Sequence, residues 1–257
     1  MFELFIAELR RSWLQFRRYP AEAIGLIVIT TIFFYGLFLS ARYLAGPSLQ
    51  LGDRLDSIII GYVLWTLVLF IITDIAGTLQ YEAQTGTLEQ LFLSRFGAIK
   101  VFLMRTLASL TLQMVIMLTI LFIIMGLTGS RLNFPPTLLL PFVTVLMGAY
   151  GIAFTMGSLA LLLKRIQQLL GIFNFALLFL LATPTETWTP PLNILAQLLP
   201  MTSGAAILRD LMARGEGLNF TKLGIAFVNG VVYFAVGLLL FYLAEREAKR
   251  RGMLSGY

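Results

Sequence analysis

Trp188-Thr189-Pro190-Pro191-Leu192-Asn193-Ile194-Leu195-Ala196-Gln197-Leu198-Leu199-Pro200-Met201-Thr202-Ser203-Gly204-Ala205-Ala206-Ile207-Leu208 is the stretch on which the topology turns. It carries no charge and, as a straight helix at 1.5 Å per residue, is long enough to cross a hydrocarbon core of ~30 Å. Yet Pro190, Pro191 and Pro200 interrupt it; each lacks a backbone N–H and clashes with the turn before it. Asn193, Gln197, Thr202 and Ser203 add polar side chains. The pattern suits a helical hairpin that enters the outer leaflet and returns, with its freed backbone groups satisfied inside the protein.

The basic residues on either side decide between the two readings. Outward from this stretch, charge-free runs long enough to cross occur at 23–41, 106–129, 137–163, 166–183 and 223–244, and a slightly shorter one at 57–73 reaches through Gln80. Arg10, Arg11, Arg17 and Arg18 precede the first run; Arg95, Lys100 and Arg105 precede the third. Lys164 and Arg165 separate the fourth from the fifth, and Arg246, Lys249, Arg250 and Arg251 follow the last. Basic clusters stay on the cytoplasmic side. They share one face only if six segments cross and the 188–208 run does not. Both termini are then cytoplasmic.

Composition agrees: of 257 residues 58% are hydrophobic and 12% charged, with a mean hydropathy of +0.87, far from ordinary soluble domains. Spans of this length satisfy their backbone in lipid only as helices, because barrel strands need alternation. The net charge of +6 lies in short clusters between apolar runs; it speaks of orientation rather than of nucleic acid. No cysteine or histidine is present, which removes disulfides, thiol chemistry, the usual zinc sites and the commonest general base. The stretch 23–41 is too long for a signal-peptide core and lacks a clear small-residue cleavage site.

Ahead of the first span, Phe2, Phe5, Ile6, Leu9, Trp13 and Phe16 recur at helical spacing. They predict an amphipathic helix over 1–20, lying on the cytoplasmic leaflet as an anchor. Ala149, Ala153 and Gly157 in the fourth span, and Ala226 and Gly230 in the sixth, are small residues four apart that allow close helix packing. Glu22 and Asp74 fall at cytoplasmic span ends, where a carboxylate anchors a helix more often than it relays protons. Midplane carboxylates, broken spans and repeat symmetry, the marks of ion-coupled carriers, are not evident.

The chain has no G-x-x-x-x-G-K-[ST] phosphate loop, so ATP is not hydrolysed here through one. The connection between the second and third spans, 81–96, reads Tyr81-Glu82-Ala83-Gln84-Thr85-Gly86-Thr87-Leu88-Glu89-Gln90-Leu91-Phe92-Leu93-Ser94-Arg95-Phe96. Gly86 suits a helix end, and Thr87 with Gln90 fits a capping box opening a second helix. On that helix Leu88, Leu91 and Phe92 share a face while Glu89 and Gln90 point away. Such a two-faced element can transmit force from a soluble partner or rest on lipid as an interfacial helix.

Glu82 followed by Gly86-Thr87-Leu88-Glu89 and Leu91 resembles the E-x-x-x-G-T-L-E-x-L segment of type-2 permeases of ATP-binding-cassette exporters. The resemblance extends to the N-terminal helix, the six-span plan and the outer segment Leu198-Leu199-Pro200-Met201-Thr202 with Ala206, Leu208 and Arg209 after it. It implies an all-α membrane protein in a single domain over 1–257, with a cytoplasmic coupling helix and a re-entrant hairpin at 187–214. It also implies that Glu82, Gly86, Thr87, Leu88, Glu89 and Leu91 contact the ATPase, and that Pro190, Pro191, Pro200, Thr202 and Arg209 belong to the hairpin. Two permeases, copies or homologues, would pair with two separate ATPase subunits. ATP and magnesium would sit on those partners, with no cofactor on this chain. Export of an amphipathic, lipid-like, drug-like or polysaccharide substrate across a bacterial or archaeal plasma membrane follows. Ser94-Arg95-Phe96 departs from the proline that many members place after Ser or Thr there.

Two readings of other classes compete. An intramembrane protease or lipid-modifying enzyme would need a histidine, a metal or two acids together at depth; Glu22 and Asp74 are expected near the interface, and Lys164, a possible partner for a serine nucleophile, lies at a span end. A membrane scaffold without transport is opposed by the coupling-like segment.

Overall fold

The computed structural model describes residues 2–45, 52–85, 98–163, 166–189 and 192–250. Among them regular structure is helical: α1 (Phe2–Arg18), α2 (Pro20–Ala45), α3 (Gly52–Thr85), α4 (Ala98–Thr128), α5 (Leu139–Leu163), α6 (Gln167–Ala182), α7 (Leu192–Leu198), α8 (Thr202–Met212) and α9 (Phe220–Arg250), with short 3-10 turns at Pro136–Leu138 and Thr185–Thr187. Pro20 opens α2, where a missing N–H costs nothing. Asn219 caps α9 through its Oδ1, which accepts from the N–H groups of Thr221 at 2.9 Å and Lys222 at 3.1 Å.

Five helices, α2, α3, α4, α5 with its leading turn, and α9, are long and apolar enough to cross a membrane. The sixth expected crossing corresponds to α6, which is apolar but has 16 residues, about 24 Å at helical rise. The hydropathy run that suggested it ends at Pro184, and the chain is already extended at Thr183. By contrast α3 and α9 outrun their apolar windows, because a helix can carry its own backbone bonds past the hydrocarbon boundary.

α3 and α5 form the centre. α3 packs on α4, α5, α6 and α8, burying Ile59, Val68, Ile71, Ile72, Ile75 and Ala76. α5 adds Ala149, Ala153 and Phe154. The small residues read from the sequence do serve packing: a Cβ on Gly157 would come within 2.9 Å of Leu79 and 3.2 Å of Ile75 on α3. Ala226 packs with Ile207 and Leu211 of α8. The closest helix contact, between α5 and α9, uses Gly230 of that set together with two glycines outside it, Gly151 and Gly237. A Cβ on Gly237 would lie 2.0 Å from the carbonyl oxygen of Gly151, and one on Gly151 would lie 2.3 Å from that of Tyr233. A Cβ on Gly230 would lie 2.8 Å from the carbonyl oxygen of Thr144. Contacts thus recur every seven residues on both helices, the period of parallel helices in continuous register, and backbone meets backbone.

α1 packs mainly on α4. Its stripe is rotated from the expectation: Leu4, Phe5, Glu8, Leu9, Ser12 and Phe16 are half-buried, whereas Ile6 and Trp13 are exposed. The reason is an ion pair across the interface, Arg105 of α4 to Glu8 at 3.6 Å, which turns a charged residue inward and displaces part of the apolar set.

Candidate functional site

At the α1 end of the bundle, Glu82 sits in the last turn of α3. Its Oε1 accepts a hydrogen bond from Arg105 Nη1 at 3.3 Å, and Arg105 Nε lies 3.6 Å from Glu8. One guanidinium therefore ties α1, α3 and α4 together just before residues 86–97. Gly86, Thr87, Leu88, Glu89 and Leu91 lie outside the described residues, so of the expected coupling set the structure describes only Glu82.

At the opposite end the 188–208 run forms two short helices, α7 with 7 residues and α8 with 11, neither of which can cross ~30 Å. Pro190 and Pro191 lie outside the described residues. Pro200 is in the elbow between the helices, and Met201 beyond it takes a left-handed φ of 65°. Met201 is buried over Gly148 of α5, whose missing Cβ leaves room for it. A short helix ending among apolar surfaces leaves its last carbonyls without partners. Here side chains supply them. Thr202 Oγ1 donates to the carbonyls of Ala196 and Leu199. Asn229 Nδ2 on α9 reaches those of Gln197, Leu198 and Leu199 at 3.0, 3.3 and 3.2 Å, and Tyr233 Oη donates to Leu198 at 3.0 Å.

Arg209 on α8 is the largest fully buried side chain among the described residues. Its Nη1 donates to Glu186 Oε2 at 2.9 Å, and its Nη2 to the carbonyl of Leu181 in the last turn of α6. Arg214 bridges Glu186 Oε1, at 3.0 Å, and Asp210; Lys222 Nζ completes the chain to Asp210 Oδ2 at 2.8 Å. Partial burial works against the Arg214 charge, but Glu186 and Asp210 outweigh it and raise its guanidinium above the ordinary arginine value. The network fastens α6, the Thr185–Thr187 turn, α8 and the start of α9 into one unit. Of the expected hairpin set Arg209 belongs to it, while Thr202 closes the elbow between α7 and α8. Glu186, Asp210, Arg214, Lys222, Asn229 and Tyr233 were not singled out as site residues; the alternation of acids and bases between 186 and 222, in a chain otherwise poor in charge, was the available signal.

Two cavities flank the α3–α4 pair. One, of about 220 Å3, is almost wholly apolar, between Ile60 and Leu67 of α3, Met114 and Leu121 of α4, Phe142 of α5 and Leu208 of α8. The other, of about 250 Å3, lies toward α1 and carries polar groups from four helices or their ends: Tyr19, Glu22, Asp74, Ser109 and Gln113. Glu22 and Asp74, read from the sequence as unrelated anchors, line this same space. The first is exposed in the opening turn of α2, and the second is half-buried, with Oδ2 accepting from Ser109 Oγ at 3.0 Å.

Curated proteins offer no match to the chain. The family model described as ABC-2 type transporter matches residues 3–213, from the first turn of α1 to the residue after α8, and so takes in the hairpin but not α9. Given that extent, and five helices able to cross a membrane, the chain belongs to the ABC-2 type transporter family and is a multi-pass integral membrane protein.

Proposed function

We propose that this chain is the membrane permease of an ATP-driven exporter whose ATPase is a separate polypeptide, two permeases working with two ATPase subunits. The observation that carries the reading is the junction at Arg105, which joins Glu8 and Glu82. Any displacement of the 86–97 segment is thereby passed to α1, α3 and α4 together rather than lost in one flexible helix. Gly86, Thr87, Leu88, Glu89 and Leu91 form the coupling element, with Glu89 facing the partner. ATP and magnesium reside on that partner. The cargo is an amphipathic, lipid-like, drug-like or polysaccharide molecule moved out of the cytoplasm.

In this reading α6 is the sixth crossing and the α7–α8 hairpin dips into the outer leaflet, so both termini are cytoplasmic and the basic clusters share one face. The chain has no cysteine, so single ones report cleanly. A cysteine at Glu216, exposed beyond α8, is labelled by a membrane-impermeant maleimide from outside, and cysteines at Ser94 and Ser255 are not. External labelling at Ser255 sinks the six-crossing topology.

The coupling reading is tested with Glu89→Ala and Gly86→Val in the assembled complex. A first-turn carboxylate contributes only about 0.3–1 kcal/mol to its helix, so Glu89→Ala inserts normally yet loses ATPase association, or leaves hydrolysis running without transport. Gly86→Val adds a Cβ at a helix end suited to left-handed angles, costing roughly 1–2 kcal/mol, and redirects the lever. If both variants assemble and transport at the wild-type rate, the segment is an interfacial helix and the coupling assignment fails.

A further inference from the structure

Four exposed residues of α1, Ile6, Arg10, Trp13 and Arg17, follow one another at spacings of four, three and four, which sets them in a single row along the helix. The inward turn of Glu8 toward Arg105 brings that row out: Leu9 and Phe16 are half-buried, while Ile6 and Trp13 remain 46% and 53% exposed. The four arginines of α1 differ in their surroundings. Arg11 lies 3.7 Å from Glu8, and Arg18 lies over the ring of Tyr19. Arg10 and Arg17 form no ion pair among the described residues. The other acid of α1, Glu3, is exposed but stands seven residues from Arg10, about 10 Å along the axis. Two guanidiniums without a counter-charge therefore alternate with two apolar side chains along one edge of the helix.

The chain continuing from α1 indicates what that edge meets. α1 ends at Arg18 and α2 opens at Pro20, so Tyr19 alone separates the row from a helix long and apolar enough to cross a membrane. In the topology proposed above, on which this inference rests, Arg17 is thereby held at the level of the cytoplasmic head groups. A tryptophan is favoured at that level, and an arginine there lays its stem along apolar surface while its guanidinium reaches a phosphate. We propose that this edge of α1 docks on anionic phospholipids of the cytoplasmic leaflet. Ile6 and Trp13 enter the acyl boundary, and Arg10 and Arg17, about 10 Å apart, each take the phosphate of a separate lipid. A choline head group carries its own ammonium, which competes with arginine for the phosphate; an anionic lipid has none. An acidic patch on a soluble partner would match the two arginines but not the apolar residues between them. Because α1 also carries Glu8, the docking holds one corner of the Arg105 junction against the leaflet.

Trp13 is its own reporter. The chain has three tryptophans, and replacing the two outside α1, Trp65→Phe and Trp188→Phe, leaves its fluorescence alone. The full chain is reconstituted without its ATPase in phosphatidylcholine vesicles containing a minor share of phosphatidylglycerol. Bromine, placed high on the acyl chains, is carried either by the phosphatidylglycerol or by a matched share of the phosphatidylcholine. An anionic surface favours each nearby basic residue about fivefold, so brominated phosphatidylglycerol quenches Trp13 at least about twofold more than brominated phosphatidylcholine. The preference is lost in the double variant Arg10→Gln with Arg17→Gln, and it shrinks in 1 M salt, where the screening length falls to ~3 Å. It persists in Arg11→Gln, whose side chain is already beside Glu8. All three positions are exposed, so the variants retain the fold. Equal quenching by the two lipids, or a preference unchanged in the Arg10→Gln and Arg17→Gln double variant, overturns the proposal. Quenching by neither also overturns it and leaves the edge facing water, open to an acidic protein. Equal quenching leaves the six-crossing topology standing, whereas external labelling at Ser255 removes that topology whatever the vesicles show.

Discussion

Gly237→Val abolishes accumulation of the folded permease, while Gly224→Ala on the same helix leaves it unchanged. Nothing lies within 4 Å of a Cβ built on Gly224, whereas one built on Gly237 falls 2.0 Å from the carbonyl oxygen and 2.8 Å from the Cα of Gly151. No rotamer relieves that clash, because the obstacle is backbone. α9 must move off α5 by about 1 Å or more to restore ordinary contact of ~3.5 Å, and that movement opens the largest helix interface in the bundle. Overpacking typically costs about 1–3 kcal/mol and more when backbone is displaced, so valine here is expected at or above the top of that range. Gly151→Val behaves in the same way from the other side. Size-exclusion profiles and melting temperatures of the detergent-solubilised variants read the effect; a monodisperse Gly237→Val with wild-type melting would mean that the two backbones do not touch.

Arg209→Met destabilises the outer unit nearly as severely. The substitution removes the donor to Glu186 and to the Leu181 carbonyl from a site with no exposed surface. Breaking a buried pair by deleting one partner costs about 3–5 kcal/mol, because the remaining charge has lost its compensation. Arg214 still reaches Glu186 Oε1, which holds the loss toward the lower part of that range. Lys222→Met is the matched control: its side chain is 52% exposed, and exposed pairs are worth about 0–1 kcal/mol. The double variant Arg209→Met with Glu186→Met recovers part of the loss if the penalty arises from the stranded carboxylate. Equal melting of Arg209→Met and Lys222→Met would show that the network is ornamental to stability.

Legibility differed between the two ends of the molecule. The hairpin was readable because three prolines and four polar side chains in an otherwise apolar run are local facts, and their consequence for a helix in lipid is local too. What closes the hairpin was not readable. Asn229 and Tyr233 lie some thirty residues downstream in a helix whose hydropathy gives no hint that two of its polar groups complete the end of α7. Pairing Arg209 with Glu186, rather than with Asp210 beside it, likewise depends on where the turn after α6 brings residue 186. At the α1 end, nothing in the local pattern marks Glu8; its inward turn follows from Arg105, a residue on another helix.

The sequence by itself determined the solvent of the fold, the helical class, the break in the 188–208 run, and the absence of a phosphate loop. Each depends on composition or spacing within one segment, where backbone hydrogen bonding and transfer into lipid act residue by residue. Only the tertiary structure decided that Gly151 meets Gly237, that Glu22 and Asp74 line one cavity, and that Arg105 joins three helices. Those depend on the rotation and register of one helix against another. In lipid, where apolar side chains are nearly as well solvated outside as inside, register is chosen by close backbone approach and a few polar contacts rather than by hydropathy.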